Sequence, residues 1–314
     1  MKIACLFPGQ GSQSVGMGKD LFDNFAEAKS TFEAIDKIAG RTLSTLCFEG
    51  PEEELKRTIN TQPTILAASI AAWQCYKAAG GPTPQFVAGH SLGEFTALIA
   101  CEALSLEEAV SLVDLRSRLM ESCPKGAMSA VIGMDQAVLQ KACDDASAEV
   151  KAPVIIANYN TREQLVISGD PASVAKAGEL AKAAGGKVIP LPVGGAFHSP
   201  LMAQAASEFE KQIKQCHLNN AKFPVVQNVD AKSATAGAEI QARLEKQMPS
   251  AVRWCDSIEF MLAQGVDTFV EIGPGKVLTG TVKKINRQAR IYNINDNASL
   301  KATLAELLSV APVS

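Results

Sequence analysis

The sequence predicts an α/β protein, and three observations carry that reading. Short apolar runs that suit buried strands alternate with longer segments of helical period along the 314 residues. One of those runs, residues 85–88 (QFVA), passes through a glycine-bounded turn into an apolar helix at 92–100. Between residues 126 and 195 the rhythm changes, and the predicted order there is βαββαβ.

Taken in order, residues 3–7 form a first strand closed by the turn-rich Pro8-Gly9-Gln10-Gly11-Ser12-Gln13. Residues 20–80 read mostly helical. A helix at 105–120 carries its own start signal, Ser105 followed three residues on by Glu108. Its apolar residues Ala109, Leu112, Val113 and Met120 recur at helical spacing. Strand 127–132, helix 136–145, strands 154–158 and 164–168, an alanine-rich helix 171–184 and strand 188–191 follow. That is the order of a ferredoxin-like subdomain. Gly126 before it and Gly194-Gly195 after it suit hinges. Residues 126–195 are therefore expected to be a small unit inserted into a larger domain built from 1–125 and 196–314. The remainder alternates again: helix 201–215, strand 223–229, helices near 238–248 and 254–264, strand 268–272, then Gly273-Pro274-Gly275 and a further helix.

Hydrophobic content of 47% and charged content of 20% are ordinary for a soluble globular protein. A formal net charge of −3 gives no global reason to expect a nucleic-acid partner. Eight cysteines are scattered singly without a C-x-x-C, which suggests neither a zinc ribbon nor a redox pair. Cys5, Cys75 and Cys101 fall in apolar runs and read as small buried hydrophobes of a reducing compartment. The first apolar run is too short for a signal peptide and no later one could span a bilayer. No membrane association is expected, and the cytoplasm is the expected location.

Gly89, Ser91 and Gly93 make a G-x-S-x-G pattern, which reads either as a structural Gly/Ser turn or as a nucleophile elbow. The strand before it, and the helix after it with Glu94 in the first turn, favour the elbow and make Ser91 the nucleophile. The glycines let backbone approach on either side of the serine, and amides at the helix start face it. The larger domain is thus expected to be α/β-hydrolase-like, with a parallel sheet and a nucleophile elbow. It departs from a true hydrolase in two ways. Only one clear strand precedes the elbow, and Gly9-Gln10-Gly11 stands where an HGGG-type loop would be.

Serine needs a base. Of three histidines, His90 adjoins Ser91, where side chains diverge on a sharp turn, and suits packing; His217 falls in a polar loop. His198, in Gly194-Gly195-Ala196-Phe197-His198-Ser199-Pro200, is left as the candidate base, presented from a loop. On the helix 105–120, Arg116 falls on the apolar stripe with Leu112, Val113 and Met120, whereas Arg118 falls with Ser111 and Asp114 on the polar side. An inward charge demands an anion. Periodicity leaves two readings equal: a structural pair with a buried acid, or a clamp for a substrate carboxylate.

These motifs, with the late Glu271-Ile272-Gly273-Pro274-Gly275, resemble the malonyl-CoA:acyl carrier protein transacylases along essentially the whole chain. The resemblance implies Ser91 as the acyl-accepting nucleophile and His198 as its base. It implies backbone amides of Gln10 and Leu92 as an oxyanion hole, and Arg116 as the holder of the malonyl carboxylate. It implies that a backbone carbonyl at Gln247 orients the histidine and that Phe197 disfavours branched acyl chains. Acyl carrier protein and a coenzyme A thioester would be the partners, malonyl-CoA the substrate, with no metal and no bound cofactor. Lys276, Lys283, Arg287 and Arg290 could line one side of the helix after Gly275, as a ridge for an acidic carrier or as an ordinary solvated face. The rival classes are a serine hydrolase and a non-catalytic carrier-binding protein. Loading for polyketide synthesis or malonate decarboxylation would look much the same as loading for fatty acid synthesis.

Overall fold

Every residue of the run IACLF is buried, and its two faces feed two different cores. Ile3, Cys5 and Phe7 pack with the long helix Thr58–Ala78, while Ala4 and Leu6 pack with helices Trp254–Ala263 and Val277–Ile285. A strand covered on both faces needs an unbroken apolar run rather than alternation. The computed structural model describes residues 1–309, so residues 310–314 of the expected larger domain lie outside the described residues.

The strands are β1 (Ile3–Phe7), β2 (Phe86–Gly89), β3 (Ala127–Ile132), β4 (Val154–Thr161), β5 (Gln164–Gly169), β6 (Lys187–Pro190), β7 (Val225–Val226), β8 (Ser233–Ala234), β9 (Thr268–Ile272) and β10 (Arg290–Ile294). They form a six-stranded sheet in the order β10-β9-β1-β2-β7-β8 and a four-stranded sheet in the order β4-β5-β3-β6. In the larger sheet every pairing is parallel except β7 with β8. The chain builds outward from β1 to β2 and β7, then returns to the other side of β1 with β9 and β10. Strand order therefore reverses at β1, and the loops leaving β1 and β2 open into the crevice where such sheets bind ligands.

Helix Thr58–Ala78 carries Pro63 in its second turn, which removes a bond to the Ile59 carbonyl. That carbonyl is taken up instead by Arg41 Nη2 at 2.9 Å and Ser117 Oγ at 3.3 Å. The proline thus ties the long helix to its neighbour Leu106–Ser122.

The four-stranded sheet is antiparallel throughout. Its elements come in the order β3, helix Gln136–Val150, β4, β5, helix Pro171–Ala183, β6. The glycines expected to be hinges are instead pinned together. Lys125 and Gly195 form an antiparallel bridge, and the Gly126 amide donates to the Gly194 carbonyl at 3.0 Å. A Cβ on Gly126 would run into the backbone of Ala196. Gly126 and Gly195 thus serve close approach, the latter against the Phe197 ring, while a Cβ on Gly194 would meet nothing. A further bridge ties β4 to the segment after residue 250, with Val252 N–H donating to the Ala157 carbonyl and Tyr159 N–H to the Val252 carbonyl, each at 2.9 Å.

Several expected elements change. The strand expected over 223–229 shrinks to Val225–Val226, because Pro224 has no N–H and the residues beyond turn their side chains to the site. The helix expected over 201–215 starts as a 3₁₀ turn, Pro200–Met202, before Ala203–Ile213. Asp114, expected on a polar face, is buried between Arg41 and Arg118. The basic ridge does not form on one helix face. That helix ends at Ile285, Arg287 lies beyond it, and Arg290 begins β10 and pairs with Asp267 at 2.9 Å.

Candidate active site

Ser91 lies two residues beyond Gly89, the last residue of β2, and has φ 52, a left-handed conformation that L-residues adopt only under constraint. Steric crowding explains the flanking glycines. A Cβ on Gly89 would meet the Gly93 carbonyl, and a Cβ on Gly93 would meet the carbonyl of Phe7 at the end of β1. The elbow is therefore wedged between β1 and the helix Gly93–Ala100 that it opens.

His198 also has a positive φ, 56, and is 3% exposed. Its Nε2 lies 2.7 Å from Ser91 Oγ, while Nδ1 lies 3.0 Å from the Ser250 carbonyl and 3.3 Å from that of Gln247. Carbonyls only accept, so Nδ1 carries the proton, Nε2 offers its lone pair, and Ser91 Oγ donates to it. Burial pushes the imidazole pKa down to about 3, helped by the charge of Arg116 and then of His90. The ring is therefore neutral at pH 7, with its Nε2 lone pair facing Ser91 Oγ.

Arg116, from helix Leu106–Ser122, is fully buried and reaches the same serine. Its Nη2 donates to Ser91 Oγ and to Gln247 Oε1, both at 3.1 Å, and its Nη1 donates to Gln62 Oε1 at 2.7 Å. The guanidinium carbon lies 5.6 Å from the centre of the Phe95 ring. Among the described residues no carboxylate pairs with Arg116, and its Nε has no partner at all. Burial lowers its pKa to about 10, opposed by Glu94, which still leaves a cation at neutral pH. A buried cation without an ionic partner is costly.

Ser91, His198 and Arg116 line a cavity of about 160 Å³ together with Gln10, Leu92 and Phe197. Among the described residues, the backbone N–H groups of Gln10 and Leu92 have no acceptor. Gln247 also donates from Nε2 to the Ser91 carbonyl at 2.9 Å, so its side chain bridges elbow and arginine. His90 stacks edge-on against Trp254 and bonds Asn160 Oδ1 at 2.8 Å; His217 is exposed. Sequence reading missed Gln62, Ser250 and Asn228. Gln62 left only a faint mark, a polar residue before Pro63 in an apolar helix, and Asn228 was absorbed into an expected strand.

Residues 5–306 match the acyl transferase domain family. The chain belongs to that family. It is 45% identical over 310 residues to the malonyl CoA-acyl carrier protein transacylase of Bacillus subtilis (strain 168), covering 98% of this chain and 97% of the relative. Among solved structures it is similar to an acyl carrier protein S-malonyltransferase from Vibrio cholerae O1 biovar eltor. There the TM-score is 0.93 and the identity 41%, covering 96% of this chain and 100% of that one. A malonyl-transacylase solved in complex with a type II polyketide synthase acyl-carrier protein gives a TM-score of 0.94 at 39% identity, covering 98% and 100%.

Proposed function

We propose that the chain transfers a malonyl group from malonyl-CoA to the phosphopantetheine thiol of acyl carrier protein, for fatty acid biosynthesis, through an ester on Ser91. One observation carries the reading: Ser91 Oγ touches both His198 Nε2 and Arg116 Nη2, while the Nε of that arginine is buried and unpartnered. A substrate with an acyl carbonyl and a carboxylate a short distance apart uses both ends of that arrangement.

As Oγ bonds to the thioester carbonyl carbon, its proton passes to His198 Nε2. The tetrahedral oxyanion accepts from the free amides of Gln10 and Leu92, each worth on the order of 10²–10³ in rate. When the intermediate collapses, the C–S bond breaks and the coenzyme A thiol leaves with the proton from His198. The carrier thiol then gives its proton to His198, its sulfur attacks the ester carbonyl, and Oγ leaves and recovers the proton. Carbonyls of Ser250 and Gln247, rather than a carboxylate, keep the imidazole aligned. Arg116 binds the malonyl carboxylate, held by Gln62 and Gln247. Phe197, 6% exposed at the cavity wall, limits branching next to the carbonyl.

The same reading treats 1–125 with 196–314 as a hydrolase-like catalytic unit and 126–195 as a ferredoxin-like insertion; the strand order β4-β5-β3-β6 supports the second description. No bound cofactor enters the scheme. The cytoplasm is the proposed compartment, and no helix among the described residues is long and apolar enough to cross a membrane.

The test is intact mass after mixing with malonyl-CoA. A covalent malonyl gain that Ser91→Ala abolishes, and that is discharged onto a carrier thiol, is expected. Release of free malonate to water in preference to the thiol would make the protein a hydrolase, and the absence of an adduct would end the proposal.

A further inference from the structure

We propose that Asn228, which lies two residues beyond the end of β7 at Val226, is a positioning residue that locks the elbow and registers it against the histidine. The inference rests on the acyl-serine chemistry proposed above.

Parallel pairing of β2 with β7 stops at Ala88 opposite Val226, so the backbone ladder ends just before the elbow. The Asn228 side chain takes over from there. Its Oδ1 accepts from the Ser91 amide at 2.7 Å, and its Nδ2 donates to the Gly89 carbonyl at 2.7 Å. One carboxamide thus clamps the backbone on both sides of His90, holding Ser91 at its positive φ. The clamp is itself fixed. The Asn228 amide donates to Glu94 Oε2 at 2.8 Å, and Glu94 Oε1 accepts from Gln227 Nε2 at 3.2 Å. Asn228 and Glu94 are each 1% exposed, and Gln227 is fully buried.

The remaining group of Asn228 makes the second link. Its carbonyl accepts from the Arg253 amide at 2.9 Å, at the end of the segment whose Gln247 and Ser250 carbonyls hold His198 Nδ1. All four polar groups of Asn228 are used. Two bind the elbow, one binds the elbow helix through Glu94, and one binds the segment that aims the base. Loss of the carboxamide should let serine and imidazole drift apart while Arg116, Gln62 and the cavity stay in place. A misplacement of about an ångström at the reacting atoms is enough for roughly a hundredfold loss of rate.

The experiment is single-turnover acylation of Asn228→Ala and Asn228→Asp by malonyl-CoA and acetyl-CoA, read by intact mass, with hydrogen exchange of the peptide covering the elbow. Asp keeps the acceptor for Ser91 but loses the donor to Gly89. The expected result is full final stoichiometry at a rate reduced about a hundredfold, equally for both acyl groups, with the malonyl-CoA concentration dependence unchanged and the Ser91 amide exchanging faster. Asp should fall between wild type and Ala, and it carries the test if Ala does not fold. A wild-type rate constant per acylated chain, with only the reactive fraction reduced, would mean ordinary structural support and overturn the proposal. Wild-type protein that forms no adduct on Ser91 would instead sink the function on which it rests.

Discussion

Arg116→Ala is the sharpest single perturbation of this site. The guanidinium is fully buried, donates to Gln62, Gln247 and Ser91, and has no carboxylate partner among the described residues. A malonyl carboxylate arriving there would be desolvated against a buried cation. Removing one partner of such a pair typically costs about 3–5 kcal/mol, which corresponds to roughly 10²- to 5 × 10³-fold in kcat/KM. Acetyl has no carboxylate and loses none of this. It should even gain, because the Arg116 charge is the second cause, after burial, holding the His198 pKa down. The substitution also strands Gln62 Oε1 and Gln247 Oε1, at about 1–3 kcal/mol each if neither finds water. The assay is therefore a ratio, malonyl over acetyl transfer rate in one protein sample, which is independent of the fraction folded. A ratio reduced by two to four orders of magnitude is expected. Equal loss for both acyl groups would refute the reasoning and make Arg116 a structural cation.

Other outcomes follow from the same geometry. With the folded His198 pKa near 3 against an ordinary 6.5, the base remains neutral through mild acid, so acylation kcat/KM should hold from neutrality to about pH 5. An acid limb at 6.5 or above would contradict it. Stability carries the matching sign: between these two pKa values the unfolded chain binds a proton that the folded one refuses, so this histidine weakens the fold as pH falls through that window. Glu94 acts oppositely, since burial raises its pKa and its stabilising protonated form is lost as pH rises. Comparing melting temperature against pH for wild type and His198→Ala should therefore reveal a shallower acid-side decline in the variant. Phe197→Ala should raise methylmalonyl relative to malonyl transfer by opening the cavity wall, at about 3–5 kcal/mol of fold stability; an unchanged ratio of the two substrates would remove Phe197 from selection.

Much of this was legible in local sequence. Gly89-His90-Ser91-Leu92-Gly93 between an apolar strand and an apolar helix announces the elbow, because only glycine tolerates the backbone approach made there. Arg116 betrayed itself through helical period alone: a charge on the buried stripe must point inward, and it does. The Ser105 cap and Glu108 mark that helix's start as written. His198 is singled out only by elimination among three histidines, a weak route, whereas the structure sets its Nε2 2.7 Å from Ser91 Oγ.

The sequence by itself determined the local states, since chain stiffness, period and side-chain size act over a few residues. It determined which serine is lifted from a turn and which arginine faces inward. Only the tertiary structure decided the long-range partners: Gln62 beneath Arg116, the Ser250 carbonyl beside Gln247, Asn228 across the elbow, and Gly126 zipped to Gly194. Those groups are brought together by the sheet order and by the pairing of residues 125–126 with 194–195. A hydrogen bond spanning 137 residues between Ser91 and Asn228 has no signature in either residue's neighbourhood. It exists because β2 and β7 are adjacent and both end at the same crevice.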